Sequence, residues 1–135
     1  MLSIADTIEA NAAALAQQLT KEQGNPLEAT TVEVYNMAAF CRYFTSLDLP
    51  VELLEDSDGR RVEVHRNPLG VLGAIVPWKF PLILMALKLP PDLIAGNTLV
   101  IKPAPTTPLS TLRIGELIKD ILPPGGINFI SCVND

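Results

Sequence analysis

The 135 residues suffice for one domain with a buried core and are too few for a second complete one. Only 19% are charged, below the roughly 25% of an ordinary soluble domain, so part of the surface is expected to face a partner or another segment. A net charge of −5 with Lys and Arg scattered along the chain excludes a nucleic-acid or anionic-membrane partner. Phe80 to Leu87, the longest uncharged apolar run, is far short of the ~20 residues that span a bilayer.

The N-terminus carries an early acid and no cationic stretch before an apolar one, so no secretory signal is expected and a cytoplasmic setting follows. Cys41 and Cys132 are far apart and lack metal-ligand spacing. Both are expected to be small structural residues, with no metal site.

In chain order, Ser3 and Asp6 have the form of a capping box, and Ile4, Ile8, Ala12, Leu15 and Leu19 predict one helical face ended by Gly24 and Pro26. Leu27 to Leu47 predicts a second helix with two apolar series. One runs Val34, Met37, Ala38, Cys41, Phe44 and the other Val32, Tyr35, Ala39, Tyr43, so packing on two sides is expected. Phe40, Tyr43 and Phe44 read as core rather than as a ligand box.

After Pro50 the period changes. Val51 to Glu55 and Arg61 to Arg66 predict a β-hairpin about Asp56-Ser57-Asp58-Gly59. Val62 and Val64 face one way; Arg61, Glu63 and His65 face a wet or partner-contacting side. His65, the only histidine, has no Ser, Cys or acid at triad spacing and reads as an exposed strand residue. A lone hairpin is marginal in water, so an added strand from another subunit is expected beside it.

Leu69 to Lys102 organises the rest. Val71 to Val76 predicts a strand covered on both faces, Pro81 to Ala95 a buried helix, and Thr98 to Ile101 a second buried strand ending at Lys102-Pro103. Thr107 and Pro108 read as the N-cap and first residue of a helix buried through Ile114, Leu117, Ile118 and Ile121. Ile127 to Ser131 is a third short strand.

This β-α-β-α-β order predicts an α/β fold with a right-handedly wound parallel sheet, flanking helices and a protruding β-hairpin. In such sheets the ligand crevice lies beyond the carboxyl ends of the strands, here Val76-Pro77-Trp78-Lys79 and Ile101-Lys102-Pro103-Ala104. A tryptophan, a lysine and rigid prolines there suit a flat ring and an anionic or hydroxyl-rich group, with Lys102 placed to donate to a ribose. The competing reading is a packed rim tryptophan and a solvated strand-end lysine. No G-x-G-x-x-G or P-loop occurs.

The segments NPLGVLGAIVPWKFPLILMALKLPP, AGNTLVIKPAPTTPLSTLRIGEL and LPPGGINFI closely resemble the aldehyde dehydrogenase family, and EANAAALAQQLTKEQGNPL resembles its upstream helix. The resemblance implies part of a Rossmann-like cofactor domain. Residues 1–50 would be its helical part, 51–66 the hairpin used in oligomer assembly, and 67–135 its β-α-β-α-β part. It implies NAD or NADP as cofactor. Ile75, Val76, Pro77 and Trp78 match the strand end that lines the nicotinamide site, Lys102 the lysine that bonds the adenosine ribose, and Ala104 the same wall.

Three departures accompany these matches. Lys79 replaces the family's asparagine, whose amide helps hold the oxyanion of the attacked aldehyde; a flexible ammonium differs from it in reach and geometry. Pro105 replaces a glutamate that accepts from ribose hydroxyls and repels a 2′-phosphate, so NADP becomes as suitable as NAD and neither should bind as well. Pro90 and Asp92 stand where the family has small apolar residues. The central helix should therefore break or restart near Leu89, and Asp92 needs a partner if buried.

The reaction implied is oxidation of an aldehyde to a carboxylic acid: a thiolate adds to the carbonyl, hydride passes to NAD or NADP, and a base-activated water releases the acid. The family's glycine-rich pyrophosphate loop, its general-base glutamate and its nucleophilic cysteine do not occur in these residues, so no catalytic residue is assigned. The expectation is a partial chain, inactive alone and binding cofactor weakly or not at all. The alternative is a non-enzymatic partner of a full-length dehydrogenase, engaged through Val51 to Arg66 as in a homo-oligomer. Three strands without neighbours are expected to leave open edges and uncovered apolar faces.

Overall fold

The computed structural model describes residues 1–132. Three helices open the chain: α1 (Leu2–Ala10), α2 (Ala12–Gln23) and α3 (Leu27–Thr45). The single first helix expected from the apolar spacing is broken at Asn11, whose Nδ2 donates to the Thr7 carbonyl at 2.8 Å while its N–H goes to Ile8. An asparagine side chain that competes for the i−4 carbonyl interrupts the ladder. The expected capping box is also absent. The helix starts at Leu2, and Met1 accepts the N–H groups of Ile4 and Ala5, which leaves Ser3 inside the first turn.

Ile4, Ile8, Leu15 and Leu19 are buried against Val34, Met37, Ala38 and Cys41 of α3. Arg42 ties α3 to α1 by pairing with Asp6 and Glu9, each at 2.7 Å. The second apolar series of α3 stays largely outside the core: Val32, Tyr35 and Tyr43 are exposed, Tyr43 by 57% although its ring meets Phe44 edge-on. Of the three aromatic residues, Phe40 alone leans on the core, stacking on Phe44. Cys41 is buried, and burial pushes its thiol up to about 11; Cys132 is exposed, beyond the end of the last strand.

The hairpin forms from β1 (Glu52–Ser57) and β2 (Arg60–Val64), antiparallel, with an irregularity between Leu53 and Glu55. Its loop is shorter than predicted. Ser57 pairs with Arg60, which leaves Asp58-Gly59 as a two-residue turn with Gly59 at φ 83°. Arg61, Glu63 and His65 do share one side, where the Glu63 carboxylate accepts from Arg61 at 2.7 Å and meets His65 Nε2 at 2.9 Å. Neither strand pairs with the other sheet.

That sheet has three parallel strands in chain order: β3 (Val71–Ile75), β4 (Thr98–Lys102) and β5 (Ile127–Phe129). Burial alternates along β3 and β4 rather than being continuous. Ala74, Val76, Leu99 and Ile101 point into the helical core with Ile127 and Phe129 against it, while Val71 and Ile75 stand exposed on the other side. The expectation of strands covered on both faces is thus overturned. The described helices fill one face only, and a period of two then leaves every second side chain exposed along β3 and half-buried along β4.

Between β3 and β4 the helical stretch restarts at Leu89, as expected from Pro90: α4 (Pro81–Ala86) and α5 (Leu89–Ile94) are separated at Leu87-Lys88. Pro90 and Pro91 lie in the first turn of α5, where their missing N–H groups are not needed. Asp92 is half-buried; burial pushes its carboxyl up, and Lys88 one turn earlier pulls it down. Gly96, at φ 85°, turns the chain into β4, with Pro68 2.9 Å from where its Cβ would sit.

The last helix, α6 (Leu109–Ile118), starts one residue later than predicted, with Pro108 rather than Thr107 at the cap. Its first free N–H groups, those of Leu109 and Ser110, are taken by the Glu22 carboxylate from α2, and Thr107 is buried with its hydroxyl unpartnered. Leu99 is fully buried in the central strand. Leu99→Ala is expected to lower unfolding free energy by about 2–5 kcal/mol, read as a fall in urea midpoint at unchanged slope.

Candidate functional site

The parallel register sets Ile75 beside Lys102, and the ladder continues one step further as the Val76 N–H donates to the Lys102 carbonyl at 2.9 Å. The two strand ends predicted to meet therefore do. Ile75 and Lys102 lie on the open face by their register, Ile75 being 72% exposed. Pro77 is exposed and Trp78 is 62% exposed, with Ala104 half-buried at the end of β4. Val76 differs: its side chain is 1% exposed and belongs to the core, so only its backbone is available to a ligand.

The segment Trp78 to Phe80 crosses from the sheet to α4 under two side-chain bonds. Gln23 Nε2 donates to the Trp78 carbonyl at 2.5 Å, and Glu33 accepts the Leu82 N–H at 2.9 Å. Lys79 is exposed, its Nζ 5.6 Å from the Phe80 ring centroid. Phe80 itself has φ 50° and ψ 53°, a left-handed conformation that costs a non-glycine residue about 1–2 kcal/mol.

Glu33 is 2% exposed. Burial pushes its carboxyl above the usual range, and the N–H groups of Leu82 and Ile83 pull the other way. Sequence reasoning missed Glu33, Glu22 and Gln23. A signal existed for Glu33: it lies four residues before Met37 and eight before Cys41, on the buried stripe of α3.

Two hollows adjoin the segment. One of about 260 Å³ is lined by Glu22, Gln23, Trp78, Thr106 and Thr107. A larger groove, about 510 Å³, lies on the α3 side and includes Val32, Glu33, Asn36, Phe80 and Ile83. Among the described residues no group of acids, histidines and cysteines could hold a metal, and no helix is long and apolar enough to cross a membrane.

An open parallel sheet with helices packed on one face is an α/β fold of the wound-sheet class, in which a ligand crevice lies beyond the carboxyl ends of the strands. Comparison with known proteins narrows it. The sequence profile of the aldehyde dehydrogenase family matches residues 1–134, and the chain belongs to that family. A probable aldehyde dehydrogenase of Mycobacterium tuberculosis is 44% identical over 131 residues, which is 95% of this chain and 26% of the relative. A crystal structure of PnpE in complex with nicotinamide adenine dinucleotide superposes with a TM-score of 0.91 at 40% identity, covering 96% of this chain and 28% of that one. The structure of 3,6-anhydro-L-galactose dehydrogenase in complex with NAP gives 0.90 at 34%, with 96% and 28% covered. The chain spans about a quarter of the length of the curated relatives it matches.

Because its pKa is raised on folding, Glu33 contributes stability that is fully present below its unfolded value and is lost as pH rises through its folded value. Glu33→Gln, which keeps an acceptor oxygen without the charge, is expected to gain on the wild type as pH is raised from 4.5 to 7. Urea titrations at several pH values measure this; a difference that shrinks over that interval contradicts it.

Proposed function

We propose that this chain forms the nicotinamide-nucleotide wall of an aldehyde-oxidising site, with NAD or NADP as cofactor, in a cytoplasmic setting. The observation that carries the reading is the register pairing of Ile75 with Lys102, which puts an apolar side chain and an ammonium side by side on the open sheet face, with the exposed Trp78 three residues further on at the exit of β3. These residues fit a nicotinamide nucleotide: Ile75, Pro77 and Trp78 offer flat apolar contact, and Lys102 is a cation on the same face. The cofactor, when bound, supplies the hydride acceptor.

In this reading Lys102 donates to a ribose hydroxyl and Ala104 closes the same wall. Lys79 brings positive charge beside the indole, where the family's asparagine would place an amide. Pro105 offers neither acceptor nor charge, so discrimination between NAD and NADP is lost and affinity is low. The groove beside Phe80 and Ile83 is apolar enough for an aldehyde's hydrocarbon chain. The 135 residues supply the wall without the family's nucleophile or base, so the chain by itself is expected to be inactive.

A second reading has its own observation. Val51, Leu53 and Leu54 stand exposed on a hairpin that no other strand among the described residues joins. In that reading the chain pairs through Val51 to Arg66 with a full-length dehydrogenase or a second copy, and modulates assembly without catalysis. Co-purification with such a dehydrogenase supports it; a well-behaved monomer in sedimentation sinks it.

Trp78 is the single tryptophan, so its fluorescence reports on the wall directly. Titration with NADP or NAD is expected to quench it only well above micromolar concentration, and Lys102→Ala to weaken that binding further. Pro105→Glu is expected to shift preference toward NAD by about tenfold, as one charge-assisted hydrogen bond of about 1.5 kcal/mol would. Absence of quenching at any concentration removes the cofactor reading.

A further inference from the structure

Phe80 is the one non-glycine residue with positive φ among the described residues. Pro81 follows it, and a proline restricts the residue before it further. Such strain persists only where the surroundings fix it. Pro81 has no N–H, so the Leu82 N–H is the first donor that α4 presents. Glu33 takes that donor from α3, out of water, at 2.9 Å. Two residues before Phe80 stands Trp78, whose carbonyl is held by Gln23. The segment is thus fixed at both ends by helices remote in sequence, and the strained residue sits next to the Glu33 end.

We propose that Glu33 is a positioning residue for the strand-end wall: by holding the start of α4 it keeps Phe80 left-handed, and so sets Trp78 and Lys79 beside the ends of β3 and β4. Glu33 makes no hydrogen bond to Trp78; it acts through Leu82 and Phe80. Its consequence for cofactor binding rests on the nucleotide-wall reading, whereas its hold on Trp78 does not.

The experiment uses the full chain with Glu33→Ala and Glu33→Gln and reads Trp78 by time-resolved fluorescence anisotropy. Glu33→Ala removes the acceptor and is expected to give Trp78 a nanosecond local-motion component absent from the wild type. Amide exchange at Leu82 should quicken about tenfold, and NADP affinity should fall about tenfold. Glu33→Gln retains an acceptor oxygen and is expected to restore all three to within about twofold of the wild type.

A folded Glu33→Ala protein with wild-type anisotropy overturns the proposal, as does a Glu33→Gln protein that frees Trp78 equally. Should Glu33→Ala not fold, the wild type decides: protection of the Leu82 amide supports the proposal, and exchange as fast as in an unstructured peptide overturns it. Freed Trp78 with no NADP binding by any form upholds the positioning and removes the cofactor reading. Unchanged NADP affinity despite a freed Trp78 breaks the link between the two.

Discussion

The pairing of β3 with β4 is the interaction on which the arrangement rests. Five register pairs, from Val71 with Thr98 to Ile75 with Lys102, carry on into the Val76 N–H bond to the Lys102 carbonyl. Parallel pairing needs a crossover, and the two short helices between these strands provide it. Once the register is set, alternation decides the rest. Ala74, Val76, Leu99 and Ile101 go inward to Met85, Leu89 and Ile114, and Ile75 and Lys102 are left together on the open side. A one-residue slip would exchange the two sets and bury the wall.

The strand ends are loops, and loops need their backbone groups satisfied by something. Here the helical layer does it with side chains. Glu22 takes the first N–H groups of α6, Gln23 holds the Trp78 carbonyl, and Glu33 holds the start of α4. All three project from α2 and α3, so the early helices shape the strand exits through bonds that span 49 residues or more. Burying Glu33 opposes its ionisation, and the two N–H groups that face it compensate in part.

Much apolar surface stays outside this core. The open sheet face, the second stripe of α3 and the hairpin together expose Val32, Tyr35, Tyr43, Leu53, Leu54, Val71 and Ile75. The low charged fraction is the compositional trace of the same fact: residues that would be polar on a fully solvated surface are here apolar on three faces.

The sequence by itself determined the order of elements, the parallel β-α-β-α-β unit, the hairpin, the break near Leu89 and the two strand ends that meet. These follow from local periodicity, from proline's missing N–H, and from the chain's own turns. Close matches to family motifs determined the family. Tertiary structure alone decided which faces are covered, because a helix with two apolar series reads the same whether or not a neighbour exists. It also decided the caps: Glu22 displaced Thr107 at α6 because a carboxylate delivered from another helix reaches both N–H groups. The left-handed Phe80 was equally illegible, since the bonds that flank it come from residues remote in sequence, Gln23 at the Trp78 carbonyl and Glu33 at the Leu82 N–H.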